Sequence, residues 1–498
     1  MARRSVAADI PFIGTLNRAE GHLGRQLAQA LRETVKRGDL KPGELLPSSR
    51  VLSKSLNVAR GVVTEAYEQL VAEGVLDARP KAGTRVSSAL NNQKSCEAQS
   101  PAPSRGRTQA LPATVAHYEQ VADEFMPLPH APFAISVPVN LTSPADVWRR
   151  IGNRIRARGP GAPAGYDDPQ GAKVLREAIA EYVRRSRSVH CEADQVVITS
   201  GIQQGLYLCC QLLLAEGDSV WIEDPAYRGL TAILEHARKG LNLAPLPIDA
   251  EGIDVAAGIE KAANAKVAFV TPSHQYPLGM PLSMGRRNAL LEWAREQGAW
   301  IVEDDYDSEL RYAGHPFPAL QGLDPDRVIY LGTFSKILFP SLRLGYAIVP
   351  KGLEKAFCGA RILMDRHPPT ADQHVLAAFI SEGHLDRHIR RIRSVYSDRR
   401  QQLVKLIEQY IPGEMAWLQP SDQGMHMVLW LSSDGDDRAI CQAALQAGVS
   451  VRPVSPLYSH ADVRPGLILG LGDFSDEQIR GALITLSKLI SRGLSGHP

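Results

Sequence analysis

The chain has no run of eighteen apolar residues, and its opening stretch, MARRSVAADI, has no apolar signal core. These absences argue against a transmembrane helix and a secretory leader, so a cytoplasmic, soluble protein with no membrane partner is expected. Cysteine is scarce, at positions 96, 191, 209, 210, 358 and 441 only, with no CxxC pair and no His/Cys spacing suited to zinc. That pattern excludes a disulfide scaffold and a zinc site, and suits reduced cytosolic thiols. Charge of either sign is in little excess, at +2 overall. It is nevertheless unevenly placed. Residues 1–88 hold fourteen Lys and Arg against nine Asp and Glu, a net +5, which concentrates any attraction for nucleic-acid phosphates at one end.

That basic end is patterned. Leu23, Leu27, Ala30, Leu31, Thr34 and Val35 recur at helical spacing and stop at Gly38, behind Lys36 and Arg37. Pro42-Gly43 supplies turn chemistry, and Ser48 or Ser49 caps a helix over about 49–55. Asn57-Val58 then turns the chain into ARGVVTEAYEQLVAEG, where Val62, Val63, Ala66, Tyr67 and Leu70 share a face and Gly74 stops the helix. Val75 to Val86 reads as a hairpin with a basic tip. Three helices and a hairpin predict a winged helix-turn-helix over 1–88. Residues 89–130 are rich in Ser, Ala, Gln and Pro and predict a flexible linker.

From 131 to 498 the pattern alternates. QVVIT (195–199), SVWIE (219–223), AKVAFVT (265–271), AWIVEDD (299–305) and RVIYLG (327–332) are short β-branched runs, with helical patterns at 201–216, 227–239 and 284–297 among them. Such alternation predicts an α/β domain with a mostly parallel sheet covered on both faces. A long arginine-rich helical region (about 371–410) and the runs MHMVLWL, VSVRPVS and LILGLG then predict a smaller C-terminal α/β subdomain.

Ligands of such sheets sit beyond the carboxyl ends of the strands, and polar residues cluster there. Thr199-Ser200-Gly201-Ile202-Gln203 opens a helix whose free N–H groups suit a phosphate. Asp224-Pro225-Ala226-Tyr227 brings a tyrosine able to lie on an aromatic ring, and Glu303-Asp304-Asp305-Tyr306 an acidic cluster able to hold a pyridine nitrogen protonated. Lys336, in TFSKILFPSLRLGY, has apolar neighbours that lower its pKa and hydroxyls beside it for a phosphate. Together these residues describe a pocket for pyridoxal 5'-phosphate, with the lysine amine forming the Schiff base.

From about 130 to 490 the chain resembles fold-type I aminotransferases, through TFSKILFPSLRLGY, EDPAY and EDDYDSELRY. Residues 20–86 resemble GntR-type winged helices, through LKPGELLPSSR and EAYEQLVAEGVLDARPKAGTRV. The fusion is similar to the MocR/GabR family of bacterial transcriptional regulators. The resemblance implies that Lys336 carries the cofactor, Asp304 pairs with its pyridine nitrogen, Tyr306 meets the ring oxygen and Tyr227 stacks on the ring. Ile202, Gln203, Thr333, Ser335 and Arg343 would hold the phosphate, with Tyr166 of GYDDPQG lent by the neighbouring subunit of a head-to-tail homodimer. A double-stranded DNA operator would be met by Ser48 and Arg50 at the second helix, Arg60 at the recognition helix, and Arg79, Lys81 and Thr84 on the wing.

Three departures from the family pattern carry consequences. The recognition helix opens Val58-Ala59-Arg60-Gly61 instead of Val-Ser-Arg-Asn, losing its capping serine. Ser273-His274-Gln275-Tyr276-Pro277-Leu278-Gly279 replaces the usual Asn-Pro-Thr-Gly. Ile468 occupies the slot where aminotransferases place the arginine for the substrate carboxylate, leaving Arg452 or Arg464 to substitute. A buried carboxylate without a charged partner is costly. The reading is therefore a regulator sensing the cofactor, or an amine or amino acid reacting with it, through Lys336. The rivals are a working aminotransferase on a DNA tether and a DNA-binding scaffold with a vestigial pocket.

Overall fold

The computed structural model describes residues 13, 16–79, 83–90 and 113–495, apart from 128, 136, 140–141, 158, 160–164, 238–239, 313, 316, 433–434 and 460–462. The chain divides into two compact units, Met1–Pro112 and Ala113–Pro498. Lys81 lies outside the described residues, as do 91–112 of the expected linker.

The first unit packs helices α1 (Leu23–Lys36), α2 (Ser49–Ser55) and α3 (Arg60–Ala72) with strands β1 (Leu76–Arg79) and β2 (Gly83–Val86). Its core joins the helical stripe Leu27, Ala28 and Leu31 to Val63, Ala66, Tyr67 and Leu70, and closes against Leu76 and Val86 of the antiparallel hairpin. Ser48 caps α2 by accepting from the Val51 amide, and the Tyr67 hydroxyl donates to the Pro47 carbonyl at 2.9 Å, fixing the turn between α2 and the rest. The start of α3 has no side-chain cap at Ala59, as its sequence predicts. Restoring a cap with Ala59→Ser should stabilise α3 by about 1 kcal/mol, read as slower native-state hydrogen exchange at the Val63 and Leu70 amides of the full chain.

The second unit is built on an eight-stranded sheet. Its strands are β3 (Val196–Thr199), β4 (Ser219–Asp224), β5 (Asn242–Asp249), β6 (Gly252–Ile253), β7 (Val267–Val270), β8 (Trp300–Asp305), β9 (Val328–Thr333) and β10 (Gly345–Ile348), in the order β3-β10-β9-β8-β7-β4-β5-β6. Pairing from β9 through β8, β7 and β4 to β5 is parallel, while β10 runs antiparallel to β3 and β9, and β6 to β5. Alternate residues enter different apolar clusters: Val267, Phe269 and Val302 go to one, Ala268, Val270 and Ile301 to the other. The sheet is thus buried on both faces, which explains its nearly continuous apolar strands. A second sheet, in the order β11-β12-β14-β13, is antiparallel throughout: β11 (Ala416–Leu418), β12 (His426–Leu431), β13 (Arg452–Pro453) and β14 (Gly466–Gly470).

Two features differ from the sequence expectation. Strand β10 is not legible as a separate run, because Gly345-Tyr346-Ala347-Ile348 continues TFSKILFPSLRLGY without a break. The linker expected over 89–130 is also not connector throughout. Ala113–Glu124 is helical and belongs with the second unit, where Glu124 forms an ion pair with Arg228 at 2.6 Å. Among the described residues no helix is long and apolar enough to cross a membrane.

Candidate cofactor site

The carboxyl ends of β3, β4, β7, β8 and β9 fall along one edge of the sheet, with Gly345 at the start of β10 in register with both Thr199 and Thr333. A cavity of about 500 Å³ opens there, a size ordinary for a cofactor or small-ligand site. It is lined by Ile202, Gln203, Tyr227, Asp304, Tyr306, Thr333, Ser335, Lys336 and Arg343. The structure thus gathers nine of the ten residues singled out for the cofactor. The tenth, Tyr166, lies outside the cavity, 77% exposed, with the Arg366 guanidinium 4.6 Å above its ring.

Strand pleating explains how three adjacent acids at the end of β8 take three tasks. Glu303 and Asp305 point to one face. There Glu303 accepts from the Leu320 and Gln321 amides, and Asp305 pairs with Arg187 at 2.8 Å, both side chains 1% exposed. Asp304 points to the other face, into the cavity, and its buried Oδ1 has no hydrogen-bond partner among the described residues. Burial, then Asp305 and Glu223, push the Asp304 carboxyl well above the usual carboxylate range, and Lys336 opposes them. A cationic ring nitrogen would give this Oδ1 a partner.

Burial lowers the pKa of Lys336, against the pull of Asp307 and Asp304. Its amine is thereby brought nearer to the neutral, nucleophilic form than an exposed lysine's.

The opposite end of the cavity suits a phosphate. The helix Ile202–Leu213 starts after Gly201, whose φ of +88° and missing side chain leave the first amides uncapped. A Cβ at Gly201 would stand 3.4 Å from the Arg343 guanidinium, so glycine keeps that approach open. Arg343 itself donates to the Ser200 carbonyl at 2.6 Å. The buried Ser335 hydroxyl has no partner among the described residues. Thr333, by contrast, uses its hydroxyl locally, accepting from the Ser335 amide at 3.1 Å and donating to the Leu344 carbonyl at 3.4 Å. It shapes the loop that presents Ser335. The orphan carboxylate, the orphan hydroxyl, the open helix start and the desolvated lysine all fit pyridoxal 5'-phosphate.

Several contributors were not picked out as site residues from the sequence. His274, noted only as part of a departing motif, lies 3.0 Å from both carboxylate oxygens of Asp307 and 2.9 Å from the Tyr306 hydroxyl through the same ring nitrogen, Nδ1. The carboxylate fixes the proton on Nδ1, so Tyr306 can only accept there and keeps its own proton to donate into the cavity. His426 donates through Nε2 to the Pro277 carbonyl at 2.9 Å, and burial, then His274, pulls its pKa down to about 4, so this ring is neutral. Glu124, Phe125 and Arg228 line the cavity from the segment previously read as linker and from the helix after Tyr227. Their signal was a contact across a hundred residues, invisible to local pattern.

Comparison with known proteins agrees with this geometry. Residues 137–467 match the model of aminotransferase class I and II, and residues 23–86 that of the bacterial regulatory proteins of the gntR family. The body has the fold of Pyrococcus horikoshii kynurenine aminotransferase, solved in complex with PMP: TM-score 0.68, 28% identity, covering 78% of this chain and 96% of that one. Fold and site together define a class I and II aminotransferase body behind a GntR-type DNA-binding domain. The chain belongs to the MocR-type family of such fusions. It is 35% identical to the probable rhizopine catabolism regulatory protein MocR of Rhizobium meliloti, over 94% of each chain. It is 32% identical to the HTH-type pyridoxine biosynthesis transcriptional regulator PdxR of Corynebacterium glutamicum, over 98% of this chain and 100% of that one.

Proposed function

We propose that this chain is a DNA-binding transcriptional regulator that holds pyridoxal 5'-phosphate at Lys336 and passes the state of that site to its DNA reader. The observation that carries this reading is the cavity in which Lys336, the Asp304 Oδ1 and the Ser335 hydroxyl converge, the last two without a hydrogen-bond partner among the described residues, in one chain with a GntR domain. When bound, the cofactor supplies an aldehyde for amines and an electron-withdrawing ring. The chain's own residues do the rest. Asp304 holds the ring nitrogen, Tyr306 donates to the ring oxygen, Tyr227 covers the ring, and Ile202, Gln203, Ser335 and Arg343 bind the phosphate.

The route outward runs through the helix Ala113–Glu124. Arg228, which follows Tyr227, binds Glu124 at 2.6 Å and Glu235 at 2.8 Å, and the His117 ring packs on His236 with centroids 5.0 Å apart. Any occupant that shifts Tyr227 or Arg228 thus pulls on the segment that leads directly back to 91–112. The DNA side consists of Ser48, Arg50, Arg60, Arg79, Lys81 and Thr84. Arg50, Arg60 and Arg79 are exposed, as backbone or base contacts require. A homodimer, head-to-tail, fits the exposed apolar row Ile362, Leu363 and Met364, with Leu363 90% exposed, on the helix Glu354–Asp365, whose cap Arg366 lies over the Tyr166 ring. The protein works in the cytoplasm, beside its DNA.

The test is DNA affinity at fixed salt, on a duplex selected from genomic fragments. The cofactor-loaded and cofactor-stripped proteins should differ by at least about tenfold, or about 1.4 kcal/mol, and Lys336→Ala, once dialysed, should behave as the stripped protein. Equal affinity in all states defeats the proposal and leaves only a scaffold.

A further inference from the structure

Tyr306 lines the cofactor cavity, whereas Asp307 and His274, which is bonded to the Tyr306 hydroxyl, do not. The side chains of His274 and Asp307 are 3% and 1% exposed. Backbone from two directions seats the imidazole. A Cβ at Gly424, on the approach to β12, would stand 2.7 Å from both ring nitrogens, and one at Gly279 3.1 Å from Nε2. Both positions are glycine, with φ of +83° and +86°. Gly424 is pinned in turn: its amide donates to the Leu310 carbonyl at 2.9 Å, and its carbonyl accepts from the Tyr312 hydroxyl. The adjoining Gln423 donates to the Ser273 carbonyl at 2.8 Å. The ring is thus held against Asp307, with room kept for it on two sides.

One ring nitrogen makes both contacts of consequence. Nδ1 lies 3.0 Å from both Asp307 oxygens and 2.9 Å from the Tyr306 hydroxyl. Beside a carboxylate it carries a proton, and a protonated Nδ1 cannot accept from Tyr306. Two outlets for the hydroxyl proton remain, the cavity and Asp307. A carboxylate is the stronger acceptor, but here the imidazole N–H already occupies it. Burial, then Asp307, hold the Tyr306 hydroxyl well above its ordinary pKa, so it keeps a proton to give.

We infer that His274 is a positioning residue: its Nδ1 proton occupies Asp307 and turns the Tyr306 hydroxyl into the cavity, which favours the deprotonated form of the Lys336–cofactor linkage. The inference rests on the assignments of Lys336 and Tyr306 above and adds a control on that same site. Its sign follows from the ring oxygen. A donated hydrogen bond stabilises that oxygen as an anion. The oxygen is most anionic when the nearby linkage nitrogen has no proton to share with it. Without the imidazole, Tyr306 is free to donate to Asp307 instead, and the linkage holds its proton to higher pH. The other groups facing this set are Asp304, Glu223 and Tyr276 around the hydroxyl, His426 against the imidazole, and Asp304, Asp307 and Arg343 around Lys336. All of them stay in place in the variants below.

The test uses full-length protein loaded with pyridoxal 5'-phosphate and dialysed, its absorbance followed across pH. His274→Leu should raise the midpoint of the spectral transition by about one unit, a tenfold change in proton affinity, and Tyr306→Phe should raise it as much. His274→Asn, whose side-chain N–H stands near the place of Nδ1, should restore most of the wild-type midpoint. In the Tyr306→Phe background His274→Leu should add nothing, because residues that act through one another are not additive. A full further shift there would mean that the bared Asp307 charge acts on Lys336 directly, and it overturns the inference. So does a midpoint, or a band indifferent to pH, that is the same in wild type and His274→Leu, and so does an asparagine variant that behaves like the leucine one. Should His274→Leu lose its circular-dichroism signature, His274→Phe is judged on the same terms. A wild type with no cofactor band after dialysis removes the assignment at Lys336 itself.

Discussion

Replacing Arg187 with methionine should destabilise the second unit by about 3–5 kcal/mol, seen as a large fall in the denaturant midpoint of the full chain. Arg187 is 2% exposed and ends the helix Lys173–Arg187 under the sheet. Its Nε meets Asp305 at 2.8 Å, Nη2 donates to Ser273 Oγ at 2.6 Å, and Nη1 donates to the Phe317 carbonyl. Removing it strands the Asp305 carboxylate, 1% exposed, with only the Tyr330 hydroxyl for a partner among the described residues. Breaking one side of a buried pair costs far more than the pair contributes, because an uncompensated charge stays behind. The double variant Arg187→Met, Asp305→Leu should therefore recover much of the loss. A single variant as stable as wild type would show that water reaches Asp305. Asp305 neighbours Asp304, so the single variant should also loosen the cofactor.

Lys336→Ala should remove the covalent hold on the cofactor while the fold survives. The lysine follows Ser335 in the turn between β9 and β10, and its loss leaves the Ser335 amide on Thr333 and the Phe334 amide on the Leu344 carbonyl in place. Noncovalent binding should remain, because Asp304, Ser335, Arg343 and the helix start at Ile202 still present their partners. The expected phenotype is a protein with wild-type circular dichroism that loses its cofactor on dialysis. Retention through dialysis equal to wild type would mean that some other group holds it.

Much of the site was legible because sheets of this class expose strand ends on one edge. Tyr227, Asp304, Thr333 and Lys336 each sit just beyond or at the end of an apolar run, and period-two pleating separates Asp304 from Glu303 and Asp305. What stayed hidden depends on distant contacts. His274 acquires its role from Asp307 and Tyr306, thirty residues on, and His426 had no local signal at all. The helix Ala113–Glu124 carries few large apolar residues and follows a Ser- and Pro-rich stretch, so its pairing with Arg228 could not be read from its own composition. Tyr166 was legible only through the resemblance, and it does not line the cavity. The uncapped start of α3 was read correctly because a cap is a local property of Ala59.

Borohydride reduction of the loaded protein followed by peptide mass mapping tests the account most directly. One pyridoxyl-phosphate adduct is predicted per chain, on the peptide containing Lys336, and none in Lys336→Ala. Label on a different lysine, or none on the wild-type chain, contradicts it.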